Sequence, residues 1–436
     1  MRRTVLIALC VVALGGCSWF GDEKQKRLEG ERIPILSLDE VPNPDPRIQD
    51  VRVRLPKPEP NNAWPQQGGM PNHAMQHLAA GGPLQPLWRT SIGAGSDSER
   101  MLLAQPVIAN GRVFTVDVDA SVRAFDAATG REAWRRNLQP KEDDDGMLGA
   151  GIAFARDRLY VTTGFAQVIA LEAANGEVVW RRNVSGPMRT PPTVYGGRVF
   201  VTTVSNQLHV LAIDDGRQLW NHASITETAG LVGGAGPAAD GDAVVAPFSS
   251  GELVALRSDN GRVLWSETLS PIRRTDPVSA IPHIKGGAVI DRGVVYAVSH
   301  SGRMIAIDLR SGSRVWEQPI GGTQEPWVAG EFIYVLSSSA ELVCLSRRDG
   351  RIRWVVKLQR YENEEKHRDP IVWSGPVLAG DRLLVAGSNR EVWSLSPYTG
   401  ERLGRIKVSD AVYIQPAVAN ETVYILSSDA QLTALK

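Results

Sequence analysis

The sequence predicts an all-β protein that folds as an eight-bladed β-propeller of four-stranded antiparallel blades. Two regularities support this prediction. A glycine followed four residues later by a tryptophan recurs along the chain, and apolar residues keep a fixed register before each glycine. The pairs are Gly130/Trp134, Gly176/Trp180, Gly216/Trp220, Gly261/Trp265, Gly312/Trp316 and Gly350/Trp354. Sheets that repeat about every 40–50 residues are typical of propeller blades, because one small sheet cannot bury both faces without neighbours.

The strand before each glycine is predicted to lie inside its sheet. Eight residues before the glycine stand Val122, Val168, Leu208, Leu253, Met304, Leu342 and Val392, and five before it stand Phe125, Leu171, Leu211, Leu256, Ile307, Leu345 and Leu395. Six residues before it the side chain is mostly small: Ala124, Ala170, Val210, Ala255, Ala306, Cys344 and Ser394. Apolar residues at both odd and even offsets indicate that both faces of the strand are buried.

The other strands of each blade follow from the turns around this one. Asp214-Asp-Gly216 is typical of a hairpin turn, with glycine where φ must be positive. An earlier strand such as Arg112–Val118 precedes the interior strand, and a short one such as Pro106–Ala109 comes before that. The tryptophan segment is the fourth strand. We expect its indole to pack on the next blade, since a large ring with one N–H donor suits that contact.

The two ends of the chain are predicted to complete one blade together. The seventh repeat keeps Gly400 but has Gly404 in place of the tryptophan, and Ala411–Lys436 supplies three more strands. The missing fourth strand stands at the front, where Leu84–Ser91 carries Trp88. This N-terminal strand would close the eighth blade and remove exposed sheet edges.

Three segments are predicted along the chain. Residues 1–16 have the features of a signal peptide, with two arginines before an apolar run that is too short to span a bilayer. Small residues before Cys17 resemble the processing site of bacterial lipoproteins, so Cys17 is predicted to carry the lipid; an ordinary signal peptide with an incidental cysteine is the alternative. Residues 17–83 are predicted to form a proline-rich tether with a tryptophan/glycine lead-in, and residues 84–436 the propeller. The lead-in, Asn62–Gly69, is expected to lie against the ring.

Composition and motifs argue against several functional classes. The chain has 48 basic and 48 acidic residues without a basic stripe, so no nucleic-acid partner is expected. It lacks the spacings typical of hydrolases, metalloproteases and P-loop enzymes, and we predict no catalytic residue, cofactor or metal. His73 and His77 are four residues apart but lie in a stretch rich in proline and glycine. Cys344 is expected to be a packed thiol without a disulfide partner.

Two long connections are predicted to bind a partner. Ser224–Gly236 joins the third and fourth blades and carries Leu231 and Val232 among glycines. The next connection, Ser270–Lys285, carries Arg273, Arg274 and Asp276. Both are longer than a meander of strands needs, and long loops on a rigid scaffold often carry recognition. The alternative is that they are merely longer loops at the rim.

The repeat Val-Tyr-Val…Gly-x-Leu-x-Ala-Leu-Asp-x-x-Thr-Gly-x-x-x-Trp resembles that of pyrroloquinoline-quinone (PQQ) propellers and covers about Leu84–Lys436. With the lipoprotein signal and eight blades, the chain resembles the BamB family, the propeller lipoproteins of the outer-membrane β-barrel assembly (BAM) machinery. That resemblance implies a lipid-anchored, non-enzymatic protein on the periplasmic face of the outer membrane. It implies binding to the POTRA domains of BamA and to other BAM components, and help in inserting unfolded barrel proteins.

The family's partner-contacting loops correspond roughly to the two connections described above. The family has an arginine in the first of them, whereas this chain reads Gly230-Leu-Val-Gly-Gly-Ala-Gly236. Two other functions remain open at this point. One is a PQQ-dependent periplasmic oxidoreductase. The blades of such enzymes resemble those of this chain, but the enzymes use adjacent cysteines, which this chain lacks. The other is a lipoprotein adaptor for another envelope complex.

Overall fold

The computed structural model describes residues 42–140, 151–227, 229–269 and 281–436. Within these ranges the regular elements are all β-strands, and no helix there has the length and apolar character needed to cross a membrane. Eight antiparallel sheets of four strands each are formed by successive parts of the chain. The prediction of an all-β, eight-bladed propeller is therefore confirmed.

The first four blades follow strand β1 (Pro86–Ser91). Blade 1 contains β2 (Val107–Ala109), β3 (Arg112–Val116), β4 (Ser121–Asp126) and β5 (Glu132–Asn137). Blade 2 contains β6 (Gly151–Ala155), β7 (Arg158–Thr162), β8 (Gln167–Glu172) and β9 (Val178–Asn183). Blade 3 contains β10 (Thr193–Tyr195), β11 (Arg198–Thr202), β12 (Gln207–Ala212) and β13 (Gln218–Ala223), and blade 4 contains β14 (Ala238–Asp240), β15 (Ala243–Pro247), β16 (Glu252–Arg257) and β17 (Val263–Thr268).

The remaining blades follow the same plan. Blade 5 contains β18 (Ala288–Asp291), β19 (Val294–Ser299), β20 (Arg303–Asp308) and β21 (Arg314–Gln318), and blade 6 contains β22 (Trp327–Ala329), β23 (Phe332–Leu336), β24 (Glu341–Ser346) and β25 (Ile352–Lys357). A hairpin of β26 (Tyr361–Asn363) and β27 (Arg368–Pro370) leads to blade 7, which contains β28 (Trp373–Ala379), β29 (Arg382–Gly387), β30 (Glu391–Leu395) and β31 (Arg402–Lys407). Blade 8 contains β32 (Ala417–Ala419), β33 (Thr422–Leu426) and β34 (Gln431–Leu435).

Within a blade, the small residue of the third strand lies directly opposite the tryptophan of the fourth. The pairs are Ala124 with Trp134, Ala170 with Trp180, Val210 with Trp220, Ala255 with Trp265, Ala306 with Trp316 and Cys344 with Trp354. Residues directly opposite each other share a face of the sheet, so a small side chain leaves room for the indole. Cys344 is buried and free, and burial raises the pKa of its thiol, as expected for a packed cysteine.

Each indole packs on the turn glycine of the next blade. A β-carbon on Gly216, where φ is 69°, would lie only 2.6 Å from the ring of Trp180. The Nε1–H of Trp180 also donates a hydrogen bond to the carbonyl oxygen of Ile213, at 3.2 Å. Six tryptophans, Trp88, Trp134, Trp180, Trp220, Trp265 and Trp316, donate such a bond to the following blade. The predicted packing of blade on blade is confirmed.

The first and last strands of the ring meet in blade 8. Strand β1 pairs antiparallel with β34, placing Trp88 opposite Ala434, in the sheet order β1-β34-β33-β32. The N-terminal strand therefore completes the last blade, as the sequence predicts.

The chain before β1 runs once around the inside of the ring. It forms hydrogen bonds to the first strand, or the turn after it, of every blade in turn. In chain order, the contacts are Asn61 with Val418 and Asn420 (blade 8), Trp64 with Ile108 (blade 1), Pro65 with Phe154 (blade 2), Gln66 with Val194 (blade 3), Pro71 with Ala239 (blade 4), Asn72 with Ile290 (blade 5), Gln76 with Trp327 and Gly330 (blade 6), and Leu78 with Leu378 and Gly380 (blade 7). Residues 61–78 are named the circular segment below.

The circular segment is part of the stretch, residues 17–83, in which the sequence predicts a tether. Trp64 in it is fully buried, stacks on Trp327 with 6.4 Å between ring centroids, and donates its Nε1–H to Oε1 of Gln105 at 3.0 Å. Leu78 is also buried. Where the described part of this stretch passes through the ring, it is therefore packed against the blades and is not a free tether. Its prolines break any strand or helix period, but its apolar side chains still fill the centre of the ring.

Candidate functional site

A cavity of about 270 Å³ lies at the centre of the ring, above the circular segment. Gln67 of that segment contributes to it, and connections that lead into the first strands of several blades form its walls. Lys285, Glu325 and Gln415, for example, stand a few residues before β18, β22 and β32. The circular segment bonds further along these same strands. The central cavity thus opens on the face that carries the blade-to-blade connections, named the connection face here, and the circular segment closes it below.

A second cavity, of about 260 Å³, lies beside the first, between blades 3 and 4. Thr203 and Val204 of blade 3 line one side, and the connection from blade 3 to blade 4 lines another. Leu231 of that connection lines both cavities, while Val232 lines the central one. The two apolar residues that the sequence singled out therefore lie where these two cavities of the connection face adjoin.

Hydrogen bonds from both neighbouring blades hold this connection. Nδ2 of Asn206 donates to the carbonyl oxygen of Ile225 at 2.6 Å, and the Ile225 N–H donates to Oε2 of Glu252 at 3.2 Å. The Leu231 N–H donates to Nδ1 of His283 at 3.1 Å. The glycines allow close packing: a β-carbon on Gly236 would lie 2.7 Å from Oγ1 of Thr193. The described residues of this loop are thus held against both blades.

Exposed apolar side chains surround the openings of both cavities. Val204 and Ile225 lie beside the second cavity, with exposed fractions of 41% and 61%. Val232, Val372 and Tyr413 line the central cavity and are 40%, 45% and 39% exposed. Single exposed apolar residues are common, but several around one concave opening are typical of a surface that binds another molecule.

Burial disfavours charge inside these cavities. It lowers the pKa of His283 to about 4, an effect to which Lys285 adds, and it lowers the pKa of Lys285 as well. Burial also raises the pKa of Glu325 well above its usual range and lowers that of His73 to about 4. Nδ1 of His73 lies 3.2 Å from the Glu325 carboxyl group. Because both shifts favour the uncharged forms, this contact joins two neutral groups rather than an ion pair.

The histidines considered as metal ligands have backbone partners instead. Nδ1 of His73 bonds to the carbonyl oxygen of Ala288 at 2.8 Å, and Nδ1 of His77 bonds to that of Pro56 at 2.8 Å. In the described ranges, no group of three or more His, Cys, Asp or Glu side chains is placed to hold a metal ion.

Not every predicted site residue can be located. Cys17, Arg273, Arg274 and Asp276 lie outside the described residues. Apart from Leu231 and Val232, the sequence missed the residues of the central cavity, because they come from separate connections and share no motif. Most of them share a position, since they stand shortly before the first strand of a blade.

Comparison with known proteins gives a consistent result. The family model described as "Outer membrane protein assembly factor BamB" matches residues 85–145, 118–356 and 359–436. The Yersinia pestis protein of that name is 26% identical over 390 residues, which cover 87% of this chain and 86% of that protein. Over other curated relatives of the same name, the match spans only 48% to 63% of their length.

Two solved structures share the fold. The crystal structure of BamB from Moraxella catarrhalis has a TM-score of 0.69 at 19% identity, covering 81% of this chain and all (100%) of that one. A quinohemoprotein alcohol dehydrogenase from Comamonas testosteroni has a TM-score of 0.66 at 13% identity, covering 86% and 80%. At these identities the likeness shows the fold alone, and a propeller of this kind supports both binding proteins and enzymes.

Proposed function

Since the chain belongs to the family of the outer membrane protein assembly factor BamB, we propose that it is a non-catalytic scaffold for the assembly of outer-membrane proteins. In this role it is held at the outer membrane, faces the periplasm, and helps other components insert β-barrel proteins. The names of its curated relatives support the assembly role. The ring supplies a rigid surface suited to holding other proteins.

The connection face is the proposed binding surface, and the POTRA domains of BamA are the proposed partner. The observation that carries this proposal is the group of exposed apolar side chains around the cavities, with Leu231 and Val232 between them. Partly apolar patches with polar surroundings are typical of protein interfaces. Arg273, Arg274 and Asp276 remain proposed contacts from the next connection.

Crosslinking in intact membranes tests the partner. A photoreactive residue at Val232 is expected to yield BamA as the main product. The control position is Asp242, which lies in the exposed turn between β14 and β15 on the opposite face of a neighbouring blade. Equal yields from both positions would contradict the proposed face. A different envelope protein, recovered without BamA, would instead support an adaptor for another complex.

The membrane attachment is proposed to be a lipid on Cys17. Acyl chains hold a protein stably only when two or more are present, which is the arrangement expected of a lipoprotein N-terminus. The Cys17→Ala variant is expected to lose fatty-acid labelling and to remain an uncleaved precursor. Labelling at the level of the unchanged protein would show that the anchor lies elsewhere.

A PQQ-dependent oxidoreductase is the alternative, because the quinohemoprotein dehydrogenase shares this fold and the ring has a central cavity. Titration of the purified protein with the quinone and calcium, followed by a dye-reduction assay, separates the two functions. We expect no saturable binding and no turnover. Saturable binding together with turnover would replace the scaffold by an enzyme.

A further inference from the structure

The central cavity is a pocket with a closed floor rather than a channel through the ring. The circular segment crosses the first strands of all eight blades beneath it. Gln105, which lines the cavity, is tied to this floor because its Oε1 accepts hydrogen bonds from Trp64 Nε1 and from the Gly68 backbone. Whatever occupies the cavity must therefore enter and leave through the connection face.

Lys285 is a positive charge in the wall of this pocket, and it has no opposite charge beside it among the residues that the structure describes. Among the described residues, no carboxylate oxygen lies within 4.0 Å of its ammonium group, in contrast to Lys436, which pairs with Glu421 at 3.4 Å. Glu325, the carboxyl group that also lines the pocket, lies against Gly68 and His73 instead.

The position of Lys285 is fixed by close packing of its backbone. A β-carbon on the following residue, Gly286, would lie 2.3 Å from the carbonyl oxygen of Gln324, so two neighbouring connections touch there. A partly buried ammonium group held in this way has lost part of its hydration. That loss is unfavourable unless an anion replaces the water, and burial accordingly lowers the pKa of Lys285.

The opening of the pocket limits the kind of anion that fits. Val232, Val372 and Tyr413 line the pocket and are substantially exposed. A small free carboxylate would neutralise Lys285 but leave these side chains in water. An acidic side chain that projects from an apolar protein surface would satisfy both, since the charge would enter the pocket while its surroundings cover the opening.

We propose that the central cavity is a docking pocket for an acidic side chain carried on an apolar protein surface, with Lys285 as its ion-pairing group. This inference rests on the proposed function, because it takes the bound protein to be the partner of the connection face. It adds the chemistry by which the partner is recognised.

The test measures binding of the full-length protein, extracted in detergent, to purified POTRA domains of BamA. Lys285→Met keeps the length of the side chain but removes its charge, and is expected to weaken binding at least tenfold. Lys285→Glu should weaken it further. The matched control, Lys436→Met, removes an exposed lysine that already has a partner and is expected to change binding less than twofold. Raising the salt concentration should weaken the unchanged protein more than Lys285→Met.

Folding defects are separated from binding defects by thermal unfolding. Lys285→Met removes a partly buried charge without a counter-ion, so its melting temperature should be equal to or higher than that of the unchanged protein. Undiminished POTRA binding by both Lys285 variants would overturn the inference and leave the proposed function standing. Absence of binding by the unchanged protein would refute the POTRA partner itself. Saturable binding of succinate that depends on Lys285, with POTRA binding unchanged, would overturn protein docking in favour of a small-molecule site.

Discussion

The circular segment gives a sharp prediction about stability, because Trp64 follows a proline-rich tether and belongs to a lead-in that the sequence predicts to lie against the ring. In a tether, Trp64→Ala would hardly change the free energy of unfolding. In the structure, the indole is fully buried, stacks on Trp327 and donates a hydrogen bond from Nε1 to Gln105. A free tether and a buried segment therefore predict different changes in the unfolding free energy on Trp64→Ala, and the difference can be measured.

The expected loss follows from the buried area. A buried indole removes about 150–250 Å² from water, worth about 4–6 kcal/mol at about 25 cal/mol per Å². Alanine retains a small part of this, and substitutions of buried tryptophan by alanine commonly cost about 3–5 kcal/mol. Oε1 of Gln105 keeps its bond from the Gly68 N–H, so it is not left without a partner. We therefore expect Trp64→Ala to lower the unfolding free energy by about 4 kcal/mol.

Urea unfolding of the full-length protein, followed by tryptophan fluorescence and circular dichroism, measures this change. Met70→Ala is the matched control, because Met70 belongs to the same segment but is 44% exposed. It should shift the unfolding free energy by no more than about 0.5 kcal/mol. If the two variants unfold at the same urea concentration, the circular segment does not stabilise the ring and the reasoning fails.

Three further predictions concern the blade contacts and the second cavity. Gly216→Ala, at φ 69° and 2.6 Å from an indole, should cost about 2–4 kcal/mol by urea unfolding, whereas Gly404→Ala meets no atom within 4 Å and should cost less than about 0.5 kcal/mol. Trp180→Phe should cost about 1 kcal/mol more than Trp354→Phe, because only the first loses an Nε1 hydrogen bond. His283 has a pKa of about 4 when folded and about 6.5 when unfolded, so the unfolded state gains its proton first as pH falls. Stability should therefore be unaffected above pH 6.5 and drop by about 3 kcal/mol between pH 6.5 and 4, and His283→Gln should lose that part of the pH dependence; parallel curves for the two proteins would contradict it.

The sequence predicts the ring well because each blade repeats the same contacts. A tryptophan needs a small residue opposite it and a glycine on the next blade. Because every blade meets both needs, the small residue, the glycine and the tryptophan keep fixed spacings within each repeat, as at Ala170, Gly176 and Trp180. The central cavity has no such pattern. Lys285 and Tyr413 come from different connections, and only the closure of the ring brings them to one opening.

The circular segment could be predicted only in part, for a related reason. The sequence places the lead-in around Trp64 against the ring, but it does not give the path of the segment past every blade. A strand or helix can be predicted from the regular spacing of its apolar residues, because the residues along one of its faces meet the same neighbouring element. Between Asn61 and Leu78, each successive group meets a different blade, so the spacing of its contacts follows the circumference of the ring rather than a backbone period. The tryptophan/glycine lead-in marks Trp64 in the sequence, but no pattern there shows which blades the rest of the segment meets.

The irregular seventh repeat has a physical explanation of the same kind. The indole of each blade packs on the turn between the third and fourth strands of the next blade. In blade 8 no such turn joins the third and fourth strands, because the fourth strand, β1, is not consecutive in the chain with the third, β34. A tryptophan at position 404 would thus have no turn glycine to cover, and a β-carbon at Gly404 meets nothing within 4 Å. The repeat that lacks its tryptophan, blade 7, is therefore the one that precedes blade 8, where the ring is closed.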